Sequence, residues 1–104
     1  MKTQVDQANL HVALLKAQVD ATRAQLALAK NDTAGAQVAL SKTPQTVNTI
    51  KTLLPANQQG VVDSLQQRLK LAVSEIKDNA YAAQSDLDVF SAGLTQLEAT
   101  LFAR

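Results

Sequence analysis

An all-α fold follows from three features of this 104-residue sequence. Its apolar or small residues recur at steps of three or four, the spacing that lines one helix face. Ala, Leu, Gln and Lys abound, and these side chains lose little rotamer freedom in a helix. Three Gly and two Pro leave little material for the tight turns a sheet-rich fold needs.

The first run of that spacing is Val5, Ala8, Val12, Leu15, Val19, Thr22, Leu26, Ala29, Thr33, Ala36, Leu40, Thr43, Val47, Ile50 and Leu54. A second goes Val62, Gln66, Leu69, Val73, Ile76, Ala80, Ala83, Leu87, Phe90, Leu94, Leu97 and Leu101. Pro55 divides them, because it removes a backbone donor and disfavours helix at Leu54. Asn57 is a candidate cap for the helix that follows. Two further breaks lie at Lys30-Asn31-Asp32-Thr33 and Lys77-Asp78-Asn79-Ala80. Asn and Asp compete for backbone hydrogen bonds and favour caps, and a basic residue suits a helix C-terminus. Asp32 and Asn79 are the expected N-caps. Four helices follow, over about 4–30, 33–54, 58–77 and 80–103. Thr43-Pro44 marks a kink or restart inside the second.

The two Asn/Asp breaks are 47 residues apart, and the apolar register continues around them without a gap. Shifted by that distance, Lys30 falls on Lys77, Ala36 on Ala83, Leu40 on Leu87, Val47 on Leu94 and Ile50 on Leu97. Upstream, Leu15 falls on Val62 and Leu26 on Val73. This reads as an internal repeat, 4–54 and 58–103, within one domain over 1–104. The expected architecture is an antiparallel four-helix bundle made of two similar helix-turn-helix hairpins. In it Leu26 faces Ala36, Thr22 faces Leu40, Leu15 faces Val47, Val73 faces Ala83 and Val62 faces Leu94, large beside small. Gln66 then lies opposite Phe90. If the Asn/Asp breaks do not turn the chain, the alternative is one long antiparallel two-helix coiled-coil hairpin. Its arms would each be about 70–75 Å long at about 1.5 Å per residue.

The first helix carries a second stripe, Leu10, Leu14, Ala17, Ala21, Ala24 and Leu28, with Val38 continuing it. A helix apolar on two sides is central in a bundle or joins two partners. Leu10, Leu14, Ala17, Ala21 and Leu28 are therefore the candidate interaction surface, unless they are core.

No catalytic, cofactor or metal site is legible. The single histidine, His11, lies off the main seam and reads as a solvated side chain. A di-metal bundle needs Glu-x-x-His pairs, and the only glutamates, Glu75 and Glu98, do not provide them. Met1 is the only methionine, which leaves no His/Met haem pair. No serine sits in a Gly-x-Ser-x-Gly elbow, and Gly35, Gly60 and Gly93 form no phosphate loop. Asp86 and Asp88 lack the spacing and glycine of a calcium loop and read as a solvated face. Tyr81 reads as a hydrophobic staple, Phe90 as core, and Phe102 as core cover or a neighbour contact. Net charge is +1 with no basic run, which argues against nucleic acid. No apolar run reaches the roughly 20 residues of a membrane span, and no cysteine offers thiol chemistry.

Asp78-Asn79-Ala80-Tyr81-Ala82-Ala83 resembles the turn and second-helix start of tetratricopeptide-type repeats, which implies stacked helical hairpins. Residues 12–30, with Ala17-Gln18-Val19-Asp20-Ala21 and Ala24-Gln25-Leu26-Ala27-Leu28-Ala29, resemble the helical-hairpin arm of bacterial membrane-fusion adaptor proteins. The functional expectation is a non-enzymatic structural or protein-interaction module, with a protein partner or self-association and no cofactor. A small-molecule carrier or sensor is a second expectation, with apolar space around Thr22, Ala29, Thr33, Ala36, Ala80 and Ala83. An adaptor-type arm of a bacterial envelope or export protein is a third. The helical pattern begins almost at the first residue, so the chain reads as a segment of a longer protein. That leans toward a membrane-anchored or extracytoplasmic parent.

Overall fold

The structure, a computed structural model, describes residues 2–102, with side chains described over 7–102; Val5, the first residue of the expected seam, lies outside the latter range, and Met1 outside both. Among the described residues the fold is all-helical. The helices are α1 (Lys2–Ala29), α2 (Thr33–Ala39), α3 (Thr43–Leu53), α4 (Ala56–Glu75) and α5 (Ala80–Phe102). The helices α2 and α3 together fill the span expected of one helix.

The chain turns where the polar pairs stand. At the end of α1, Asn31 adopts a left-handed φ of 61°, which Asn tolerates better than most side chains. The amide of Asn31 bonds the carbonyl of Leu28, and that of Asp32 bonds the carbonyl of Ala27. This paired closure satisfies carbonyls that the helix end would otherwise orphan. Asp32 then caps α2, its carboxylate accepting from the Gly35 amide at 2.9 Å. At the start of α5, Asn79 accepts from the Ala82 amide at 3.1 Å. Both expected caps are therefore in place.

The other two joints differ from expectation in detail. Leu54 is extended (ψ 151°), as the residue before proline prefers, and Pro55 occupies the cap position of α4. Asn57 consequently lies inside the helix and caps nothing. Instead Gln59 reaches back, its amide donating to the carbonyls of Lys51 and Leu54 at 3.2 Å each. The helix does restart at Thr43-Pro44, but Lys42 holds the cap position. The Thr43 hydroxyl donates to Asp20 of α1 at 2.9 Å, which makes a fully buried threonine affordable.

The helices pack side by side. α1 lies against α2, α3 and α5, and α4 lies against α3 and α5. The Cα extents are 45 × 23 × 20 Å. The 28 residues of α1 span about 42 Å and so set the long dimension. The unturned hairpin, at about 70–75 Å, does not describe this shape.

One core runs the length of the molecule, and α1 enters it by an unexpected face. Leu10, Ala13, Leu14, Ala17, Ala21, Ala24 and Leu28 are buried, while Val12, Leu15, Val19 and Leu26 are 46–56% exposed. The first expected seam is thus outside over α1 and inside from Ala36 onward. The facings drawn for Leu15, Thr22 and Leu26 fail with it. Over α4, Leu65 and Ala72 are buried, whereas Gln66 and Val73 are not. The physical reason is volume. Leu40, Val47, Ile50, Leu69, Leu87, Phe90 and Leu94 already fill the interior, and small residues on α1 let these large ones interdigitate without strain.

The choice of face is measurable. Leu14→Ala costs about 2–5 kcal/mol in urea unfolding, as a fully buried leucine should. Leu15→Ala, one position on, costs about 1 kcal/mol or less, because only half of that side chain is covered. Equal losses would show that both faces of α1 are buried.

Candidate interaction face and polar clusters

The candidate surface read from sequence, Leu10, Leu14, Ala17, Ala21 and Leu28, is core: each is at most 6% exposed. These residues touch the other helices of this chain and offer no free face. At about 100° per residue, the outward stripe Ala8, Val12, Leu15, Val19, Thr22 and Leu26 is centred about 150° round the helix from them. A shallow groove of about 220 Å³ runs between Leu15, Gln18, Val19, Thr22 and Arg23. The Thr22 hydroxyl is already bonded to the Gln18 carbonyl at 2.9 Å, so covering it strands no donor.

The two edges of this stripe differ. Toward α5 stand His11, Gln18 and Gln25, seven residues apart. His11 Nε2 lies 2.9 Å from Glu98 Oε2, and the Gln18 amide donates to Glu98 Oε1 at 3.3 Å. Gln25 donates to Asp88, and Gln84 donates to the Gln25 carbonyl at 3.0 Å. Partners rising along α1 fall along α5, so the two helices run in opposite directions, joined by a polar seam. The His11 ring also stacks on Phe102, with centroids 4.7 Å apart. His11 is therefore exposed but engaged, not simply solvated. Toward α3 stand Lys16, Arg23 and Lys30, again seven apart and all exposed. None of the three is ion-paired among the described residues.

Asp86 and Asp88 likewise hold partners across helix boundaries. Asp88 accepts from Gln25, and Asp86 accepts from Arg68 of α4 at 3.1 Å. Glu75 joins that second cluster. Its Oε1 is shut from solvent and reached by no N–H or O–H donor. Hydrogen bonding with the Asp86 carboxyl, then burial, then repulsion by the Asp86 charge raise the Glu75 pKa above its ordinary 4.5; Arg68 pulls the other way. Two carboxyls can bond only by sharing a proton, so this contact opposes ionisation of Glu75. Among the described residues no three His, Cys, Asp or Glu side chains gather closely enough to hold a metal ion.

Tyr81 is 86% exposed and packs as no staple. It sits at the second helical position after Asn79, whereas a staple joins the residues flanking the cap further out. Phe90 is fully buried, and Phe102 packs against the core. An end cleft of about 350 Å³ lies among Gln7, Leu10, Leu53, Leu54, Pro55, Leu101 and Phe102. It shares no residue with the Thr/Ala set around Thr22 and Ala36. The Gln–carboxylate seam and the Glu75–Asp86 contact are absent from the sequence reading. Among the described residues no helix is long and apolar enough to cross a membrane.

No family model matches the chain, and neither a curated protein nor a solved structure is significantly similar to it.

The Glu75 cluster gives a pH signature. Because the folded pKa is raised, its contribution is complete below the unfolded value near 4.5 and is lost as pH rises through the folded one. Glu75→Gln keeps a donor for Asp86 and removes the charge. The variant should therefore unfold at higher urea than the wild type at neutral pH, and lose less stability on going from mildly acid to neutral pH. Parallel pH profiles for the two proteins would contradict a shared proton.

Proposed function

We propose that the chain is a four-helix bundle of two antiparallel hairpins that works without catalysis, as a protein-interaction module whose contact face is the outside of α1. The observation that carries the reading is the outward stripe Val12, Leu15, Val19 and Leu26. Single exposed apolar residues are ordinary, but four large ones on one helix face, interrupted only by Thr22, signal a contact surface. The row is not a remnant of poor packing, since α1 already buries a complete second face. Its polar edges also fit a rim around an apolar centre, the common anatomy of interfaces.

The polar clusters support the same reading. His11, Glu98, Asp86 and Arg68 each hold a partner from a neighbouring helix, which commits their chemistry to joining helices.

A photo-crosslinking side chain placed at Val19, with one at exposed Gln67 of α4 as control, tests this in the protein's native cells. The expected result is a discrete protein adduct, either a second copy or another chain, from position 19 and none from position 67. Absence of any adduct at 19, or equal labelling at both sites, would remove the contact face.

A further inference from the structure

Resting on that contact face, we propose that its occupant is a second copy of this chain, with the two α1 helices running parallel. Three observations point there.

The first is the pattern of the stripe. From Ala8 to Ala29 its steps alternate four and three without a break, as the buried face of α1 does, and this 3.5-residue repeat is one that a two-helix seam can use. Val12, Val19 and Leu26 take one of the two seam positions; Ala8, Leu15, Thr22 and Ala29 take the other. β-Branched residues at the first position with leucine at the second favour two parallel strands. The central layers, Val12 to Val19, follow that preference.

The second is charge. In a parallel pair, each copy's Lys16–Arg23–Lys30 edge meets the other copy's His11–Gln18–Gln25 edge. That second edge is backed by Glu98 and Asp88, bonded to Gln18 and Gln25. Free cations thus meet carboxylates, on both sides of the seam. An antiparallel pair centred on Val19 would instead set Lys16 of one copy against Arg23 of the other, cation against cation. The net charge of +1 adds little general repulsion between copies.

The third is the asymmetry of the rim. An anionic membrane would attract the lysine edge but be repelled by Asp88 and Glu98 along the other. A surface with one cationic and one carboxylate-bearing edge complements itself better than it complements a lipid sheet.

Sedimentation equilibrium of the full chain reads the proposal directly. Mass should rise from one copy toward two between about 10 μM and about 1 mM, the range open to a contact of roughly 4–7 kcal/mol. Val19→Glu should keep the protein monomeric with unchanged helicity; Val19→Gln serves the same purpose if the glutamate impairs folding. Arg23→Glu should weaken association roughly threefold to tenfold. Because the chain has no cysteine, single thiols report orientation cleanly. Val12→Cys and Leu26→Cys should each crosslink to themselves under mild oxidation. Antiparallel helices centred on Val19 would crosslink only in a mixture of the two variants. That result, a dimer indifferent to Val19→Glu, or a constant monomer mass to about 1 mM would each overturn the proposal. A constant monomer that still crosslinks to other proteins from position 19 overturns the second copy while leaving the contact face intact. A monomer with no adduct from that position overturns both. Binding of the monomer to anionic vesicles, abolished by Val19→Glu, would replace the second copy with a lipid surface.

Discussion

The alanine face of α1 sets how closely the other helices approach its axis. Ala17, Ala21 and Ala24 are fully buried and bring almost no side-chain volume. The interior is therefore filled from the other helices, by Leu40, Val47 and Ile50 on one side and Leu69, Leu87, Phe90 and Leu94 on the other. A core of fixed volume does not accept a second row of Val and Leu from α1 without overpacking, which typically costs about 1–3 kcal/mol per forced side chain. The bulkier row of α1 is accordingly turned outward. What stands outside this molecule is a consequence of what its centre has room for.

That dependence explains which parts of the fold were legible in the sequence. The turns were legible because their causes are local. Asp32 and Asn79 each bond an amide three residues on, and Pro55 enforces an extended Leu54, so a few adjacent residues decide the outcome. The face of α1 was not legible, because both its stripes have helical spacing and the larger one looks more like core. Choosing between them needs the volume supplied by residues 20–80 positions away. The 47-residue shift shows the same divide. Ala36/Ala83, Leu40/Leu87, Val47/Leu94 and Ile50/Leu97 are buried in both members. Leu15 is exposed where Val62 is buried, whereas Leu26 and Val73 are both exposed. Burial agrees at those four pairs of the second arm and only in part in the first.

The candidate site inherits this history. Its apolar row has the bulk and spacing of a core seam yet lies outside, while the smaller second row of α1 lies inside. Its rim was not visible, since a glutamine or histidine at every seventh position says nothing until α5 supplies Glu98 and Asp88. The Glu75–Asp86 contact was hidden for a similar reason. Residues 75 and 86 flank the last turn, but only the packing of α4 on α5 turns their carboxyls together beside Arg68.

A stripe that violates the usual sorting of bulk toward the interior has a cost the rest of the chain does not remove. Fully burying a Val or Leu side chain contributes about 1.5–3 kcal/mol, and the four on α1 are near half exposed, so each forgoes on the order of 1 kcal/mol. Exchanging the two faces would regain that only by overfilling the interior, a loss of similar size. A partner regains it without touching the core. But association itself costs roughly 4–15 kcal/mol in lost freedom, comparable to what eight such side chains from two copies return. The balance therefore predicts a weak, concentration-dependent contact in which the edge charges decide orientation. The fold itself does not depend on that contact, because the core of the single chain is complete without it.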